Sequence, residues 1–170
     1  MSSPEIAPII RPATRLDLSA IGRLGALLVQ IHHDFDPARF IPAASGTERG
    51  YASFLGSQLQ EANIIILVAE REGTVVGYAY MGIEGYDYMA LRGPAGVLYD
   101  LVVDPNHREQ GIGRLLLNAA RVALQTRGVR QVVLQTAEKN VVAQRLFASA
   151  GFRRTMIEMT QDIPPGELQD

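Results

Sequence analysis

Residues 96–113, GVLYDLVVDPNHREQGIG, constrain the rest of the chain most. Val97, Leu98, Leu101, Val102 and Val103 are apolar or β-branched, as a largely buried strand requires. Asp104-Pro105-Asn106 then turns the chain, because Pro105 fixes its own φ and lacks a donor, while Asp and Asn tolerate tight bends. Arg108-Glu109-Gln110-Gly111-Ile112-Gly113-Arg114 leads into LLLNAARVALQTRG, an amphipathic helix. The first turn of such a helix presents N–H groups without intrahelical partners, at the positive end of the helix dipole. Glycines there remove the Cβ atoms that would keep an anion away. The stretch therefore reads as a strand delivering a phosphate cradle. It is not a P-loop, since no Gly-Lys-Ser/Thr follows, and it lacks the third glycine of the dinucleotide fingerprint.

Composition narrows the partners. With 170 residues, 47% hydrophobic and 20% charged, the chain is expected to form one soluble domain over 1–170, its last residues (163–170) a loose tail. A net charge of -2, from 16 basic and 18 acidic residues, gives no electrostatic reason to expect nucleic acid. The absence of cysteine excludes disulfides, thiolate metal sites and a cysteine nucleophile. No basic leader precedes an apolar run, and no stretch approaches a membrane span, so a cytoplasmic protein without a membrane partner is expected.

Local signals give the element order. Residues 6–12 read as an edge strand, and Thr14 with Asp17 as an acidic capping box starting a helix that runs to about His32. A second helix is expected over 47–61, and two β-rich runs meet at Arg71-Glu72-Gly73 in a hairpin. After the organising strand come a helix over 113–127, a strand over 129–136, a short helix over 140–150 and a closing strand over 152–163. The order is β-α-α-β-β-β-α-β-α-β.

Arg108-x-x-Gly111-x-Gly113 after a Val-rich strand, followed by Asn140, Ala143, Leu146-Phe147 and Gly151-Phe152, resembles the GNAT superfamily of acetyl-CoA-dependent N-acetyltransferases. The resemblance is strongest over 97–152. It implies an α/β (α+β) fold: a mixed, largely antiparallel sheet flanked by helices and splayed at its fourth and fifth strands. It implies acetyl-CoA as cosubstrate, with no metal. By the resemblance, Arg108, Glu109, Gln110, Gly111, Ile112, Gly113 and Arg114 hold the pyrophosphate, and Leu101, Val102 and Val103 hold the pantetheine arm. A main-chain N–H of Leu101 or Val102 serves the oxyanion. Asn140 is a helix N-cap, a coenzyme contact, or both. Phe147 stands where the family commonly has a tyrosine that protonates the departing thiolate, and it has no proton to give.

A general base is needed because an alkylammonium, with a pKa of about 10.4, is mostly protonated at neutral pH. Asp100 is the first candidate, placed by strand alternation on the face opposite Tyr99 and Leu101. Glu84 and Asp104 are the runners-up, and a purely structural role for Asp100 stays open. His32-His33-Asp34 reads as a helix end rather than a metal site, since adjacent histidines diverge on a helix. The resemblance puts the first helix, its following loop and the third-to-fourth strand connection on the acceptor side. His33, Phe35, Phe40, Tyr86 and Tyr88 are then candidate acceptor contacts, with local packing the alternative. The implied reaction is direct attack by a primary amine of a small molecule, amino acid, antibiotic or protein N-terminus. The competing reading is a non-catalytic coenzyme A sensor. Exposed strand edges permit a homodimer.

Overall fold

Five strands form one sheet in the order β1-β2-β3-β4-β5, so neighbours in sequence are neighbours in space. The structure is a computed structural model and describes residues 7–165. The strands are β1 (Ile9–Pro12), β2 (Ile64–Arg71), β3 (Thr74–Glu84), β4 (Ala95–Val103) and β5 (Val132–Leu134). The helices are α1 (Leu18–Phe35), α2 (Thr47–Gln58), α3 (Ile112–Gln125) and α4 (Val141–Ser149). The first four strands pair antiparallel, whereas β5 returns through α3 and pairs parallel to β4, as a crossover helix demands. The β2–β3 hairpin closes where predicted, with Glu72 and Gly73 both at positive φ.

Each sheet face carries its own core. Under α1 and α2 lie Ile21, Leu24, Leu55, Ile66, Val68, Tyr78 and Val102. Under α3 and α4 lie Leu67, Met81, Leu98, Leu116, Leu124 and Phe147. The two first helices approach closely at Gly25, where a Cβ would fall 2.2 Å from the Tyr51 ring. The predicted capping box forms over a single 3₁₀ turn, Arg15–Asp17, ahead of α1. One oxygen of the Asp17 carboxylate accepts from the Thr14 N–H at 2.7 Å and from its hydroxyl at 3.0 Å. Arg11 reaches both oxygens of Asp17 at 2.8 Å and also holds Glu70, tying β1, β2 and the head of α1 together.

The structure corrects several boundaries. β1 begins at Ile9; Ile6 lies outside the described residues, as does most of the predicted tail (166–170). α1 continues to Phe35, past His32 and His33, which stand in its last turn. β5 shrinks to three residues because only those meet β4. No strand forms over 152–163: the segment is irregular, with Met156, Ile157, Met159 and Ile163 exposed, since so short an edge offers few ladder partners.

Candidate active site

β4 is paired unequally on its two sides. Against β3 it pairs from Ala95 to Val103, but against β5 only Gly96, Val97 and Leu98 find partners. Among the described residues the β5-facing edge of residues 99–103 has no strand partner, which is the splay predicted between the fourth and fifth strands. Leu101 and Val103 pack their side chains toward the α3 core and Val102 toward the α1 core. What these residues offer a ligand is therefore main chain.

Opposite the splay, β4 carries a bulge. Tyr80 faces Asp100 but Met81 faces Leu98, so Tyr99 is the extra residue. The extra residue breaks the alternation and turns Tyr99 onto the face of Asp100. Its ring lies 4.8 Å from that of Tyr80, the cross-strand neighbour of Asp100. The expectation that Tyr99 and Asp100 occupy opposite faces is corrected by this bulge, whereas Leu101 does lie on the other face.

The loop after β4 is built from internal bonds. Arg108 Nε donates to the Val103 carbonyl at 3.3 Å, ordering the loop against the strand end. Asp104 accepts from the Asn106 N–H at 3.0 Å and from Arg23 at 2.9 Å. Burial opposes its ionisation, but these two partners prevail and hold it below the usual carboxylate range. Asp104 is thus an engaged turn acceptor rather than a base. Glu109 and Gly111 both adopt positive φ, and Gly111, at φ 78°, forms the N-cap of α3 without any side-chain cap bond. Gln110 accepts from Arg71, and Arg114 donates to Ser149 Oγ at 2.8 Å. Ile112 is buried, and Gly113 leaves room for Leu146, whose Cδ2 a Cβ would meet at 3.3 Å. The side chains of the predicted cradle mostly bond to the protein itself, and among the described residues no side chain caps the amides at the head of α3.

Asn140 caps α4, its Oδ1 accepting from the Ala143 N–H at 3.1 Å. Phe147 is buried, its ring 5.9 Å from Phe152. It is a core residue, which explains a phenyl ring at this position.

A polar cluster lies on the α1 face of the bulge. Tyr78 Oη donates to Asp100 Oδ2 at 2.8 Å. Burial pushes the Asp100 carboxyl above the usual carboxylate range, opposed by the Tyr78 hydrogen bond and by His32. Burial likewise raises Tyr51 to about 12, with the charge of Asp100 adding to it. His32 Nδ1–H donates to the Leu28 carbonyl at 2.9 Å, as only a protonated ring nitrogen can bond a carbonyl. Glu84 is engaged at both oxygens: one accepts from Tyr99 Oη at 2.5 Å and the other from Arg92. That leaves Asp100 as the candidate base with an oxygen, Oδ1, that accepts no hydrogen bond from a described residue.

The acceptor-side candidates fall into two groups. At the end of α1, His33 Nδ1–H donates to the Phe40 carbonyl at 2.8 Å, while His32 meets Phe35 and Phe40 edge-on. On the β3–β4 connection, Tyr86 and Tyr88 stack at 6.0 Å and are exposed, above a bridge between Asp87 and Arg92. Among the described residues no hydrogen bond or ring contact joins the two groups. Nor do three His, Cys, Asp or Glu side chains converge as a metal site among the described residues. Sequence reasoning missed Tyr78, Tyr51 and His32 as neighbours of Asp100. The one available signal was Tyr78-x-Tyr80, two tyrosines on one face of a strand.

A mixed sheet that parts at β4 and β5, with a glycine-led helix head beyond the open strand, defines the class as an α/β acyltransferase-type fold. The family model described as the acetyltransferase (GNAT) family matches residues 28–152, and the chain belongs to that family. It is 40% identical over 96 residues to a mycothiol acetyltransferase of Thermobispora bispora, covering 54% of this chain and 31% of that protein. The chain thus spans about a third of the length of that relative. A Bacillus halodurans protein, crystallised as a point mutant, shares the fold with a TM-score of 0.77 at 23% identity, covering 92% of this chain and 99% of that one. A Clostridium acetobutylicum protein described as a predicted acetyltransferase, crystallised with acetyl-CoA, superposes with a TM-score of 0.70 at 14% identity, covering 91% and 96%. At such identities the two structures show the fold.

Proposed function

We propose that the chain transfers the acetyl group of acetyl-CoA to a primary amine by direct attack in a ternary complex. The observation that carries this reading is the edge of β4 over residues 99–103, which has no strand partner beyond β3 among the described residues and leads to the glycine-led head of α3. Buried backbone groups without partners are costly, and the two amides of a pantetheine arm satisfy Leu101, Val102 and Val103 as an added strand would. The pyrophosphate then meets the N–H groups of Ile112, Gly113 and Arg114, with Arg108 and Arg114 supplying positive charge nearby and Asn140 and Phe147 flanking from α4. A main-chain N–H of Leu101 or Val102 stabilises the oxyanion.

In the transfer, the amine nitrogen attacks the acetyl carbonyl, the C–N bond forms and the C–S bond breaks. Asp100 takes the proton that the amine loses. The thiolate leaves and is protonated by solvent, a cost of about 2 kcal/mol at neutral pH for a thiol of pKa about 8.5. Phe147 is therefore compatible with turnover. Glu84 acts through the Tyr99 hydroxyl and Arg92, holding the rim of the acceptor side. His33, Phe35 and Phe40 on one side and Tyr86 and Tyr88 on the other contact the acceptor. The chain as a whole serves as one catalytic domain, placed in the cytoplasm and able to form a homodimer through its strand edges. No helix among the described residues is long and apolar enough to cross a membrane.

Phe147 also supports a second reading, a coenzyme A sensor without turnover, since a core phenylalanine supplies no acid. Calorimetric titration with acetyl-CoA and thiol release with a panel of primary amines separate the two. Binding with thiol release supports the enzyme. Saturable binding without release from any amine supports the sensor, and failure to bind acetyl-CoA overturns both.

A further inference from the structure

We propose that Tyr78 is a positioning residue of the transfer, its buried hydroxyl holding one oxygen of Asp100 so that the other is presented to the amine. The inference rests on Asp100 as the base. Tyr78 is 0% exposed and sits mid-strand in β3. A phenylalanine would fill that core equally well, and a buried hydroxyl is costly unless it finds a partner. The partner it finds is a single carboxylate oxygen, at 2.8 Å.

The environment isolates this pair. The groups facing Asp100 are His32 from α1, Tyr51 from α2, and Tyr78 and Tyr80 from β3. Tyr80 turns its hydroxyl to Gln58, and the His32 Nδ1–H is taken by the Leu28 carbonyl. No lysine or arginine pairs with Asp100 among the described residues. Among the described residues Tyr78 is thus the one neutral donor fixing the carboxylate, and none of them bonds Oδ1. Burial, together with the adjacent carboxylate, keeps the phenol far above its usual range, so the donor retains its proton throughout the working pH range. The bulge at Tyr99 completes the arrangement by setting Asp100 opposite Tyr80, two residues from Tyr78 on one face.

The test uses the full chain and an amine that the wild type acetylates, with kcat and KM followed against pH. Asp100→Asn is expected to lower kcat by about a hundredfold, with KM for acetyl-CoA unchanged, and to abolish the lower break in log kcat/KM. Tyr78→Phe is expected to move that break up by about one pH unit. Activity then falls about tenfold or more on its acid side, and a several-fold loss remains on its alkaline side, where Asp100 is ionised but no longer held in orientation. Adding Tyr78→Phe to Asp100→Asn is expected to change nothing further, because the tyrosine acts through the carboxylate. An unmoved break, a full wild-type rate on its alkaline side, or a further loss in the double variant overturns the positioning role. Retention of rate and lower break by Asp100→Asn overturns the base itself, a distinct failure. Should Tyr78→Phe not fold, 3-fluorotyrosine at position 78 keeps the ring and strengthens the donor. The break must then move to lower pH, and an unmoved break overturns the proposal.

Discussion

At Gly111 the backbone sits at φ 78°, a left-handed conformation that costs an L-residue roughly 1 kcal/mol, while nothing lies within 4 Å of the place a Cβ would take. Strain and ligand exclusion are therefore separable there. Gly111→Ala is expected to lower stability by about 1 kcal/mol in thermal melts and to weaken acetyl-CoA binding in calorimetry without abolishing it. Gly111→Glu carries the same strain but adds bulk and negative charge at the proposed pyrophosphate position. It is expected to abolish acetyl-CoA binding with the far-UV circular dichroism unchanged; undiminished affinity would remove the cradle. The motif residues around it were legible because glycine, turn and helix-start chemistry is local. The partners of Asp100 were not. Tyr51, Tyr78 and His32 come from three elements, and neither their convergence nor the bulge at Tyr99 has a local signature.

Among the elements, α1 and α2 depend on an approach that only glycine permits. A methyl at Gly25 would meet the Tyr51 ring at 2.2 Å, so Gly25→Ala must displace either α2 or that tyrosine. A loss of roughly 1–3 kcal/mol is expected, the cost of overpacking a core, read as a lowered midpoint in urea. An unchanged midpoint would show that Tyr51 swings aside without penalty. Periodicity located the long helices and the β2–β3 hairpin, since an amphipathic stripe and a two-residue alternation are written in the residues themselves. It failed at the chain's far end. The apolar run 129–136 yields only Val132–Leu134, and 152–163 yields no strand, because a strand needs an edge of matching length and β5 does not offer one.

For the molecule as a whole, Arg11, Asp17 and Glu70 clasp the first two strands to the head of α1. The Arg11 hydrogen bond lowers the Asp17 carboxyl to about 2 against burial, from 3.8. A folded-state pKa below the unfolded one contributes stability that is complete above about pH 4 and is lost as pH falls toward 2. The contribution is about 2 kcal/mol. Asp17→Asn is expected to lose that amount at pH 7 and to flatten the acid limb of stability against pH, measured by urea melts between pH 2 and 7. A parallel, unflattened curve would place the acid sensitivity elsewhere.

By itself, the sequence determined what short-range chemistry determines: the Gly111 turn into α3, the capping box at Thr14 and Asp17, and the order of the elements up to α4. The tertiary structure alone decided how far β5 accompanies β4, that the side chains of the cradle bond to the protein while none among the described residues caps its amides, and which groups surround Asp100. Such facts depend on contacts between residues distant in the chain, whose geometry is fixed only when the two cores close on the opposite faces of the sheet.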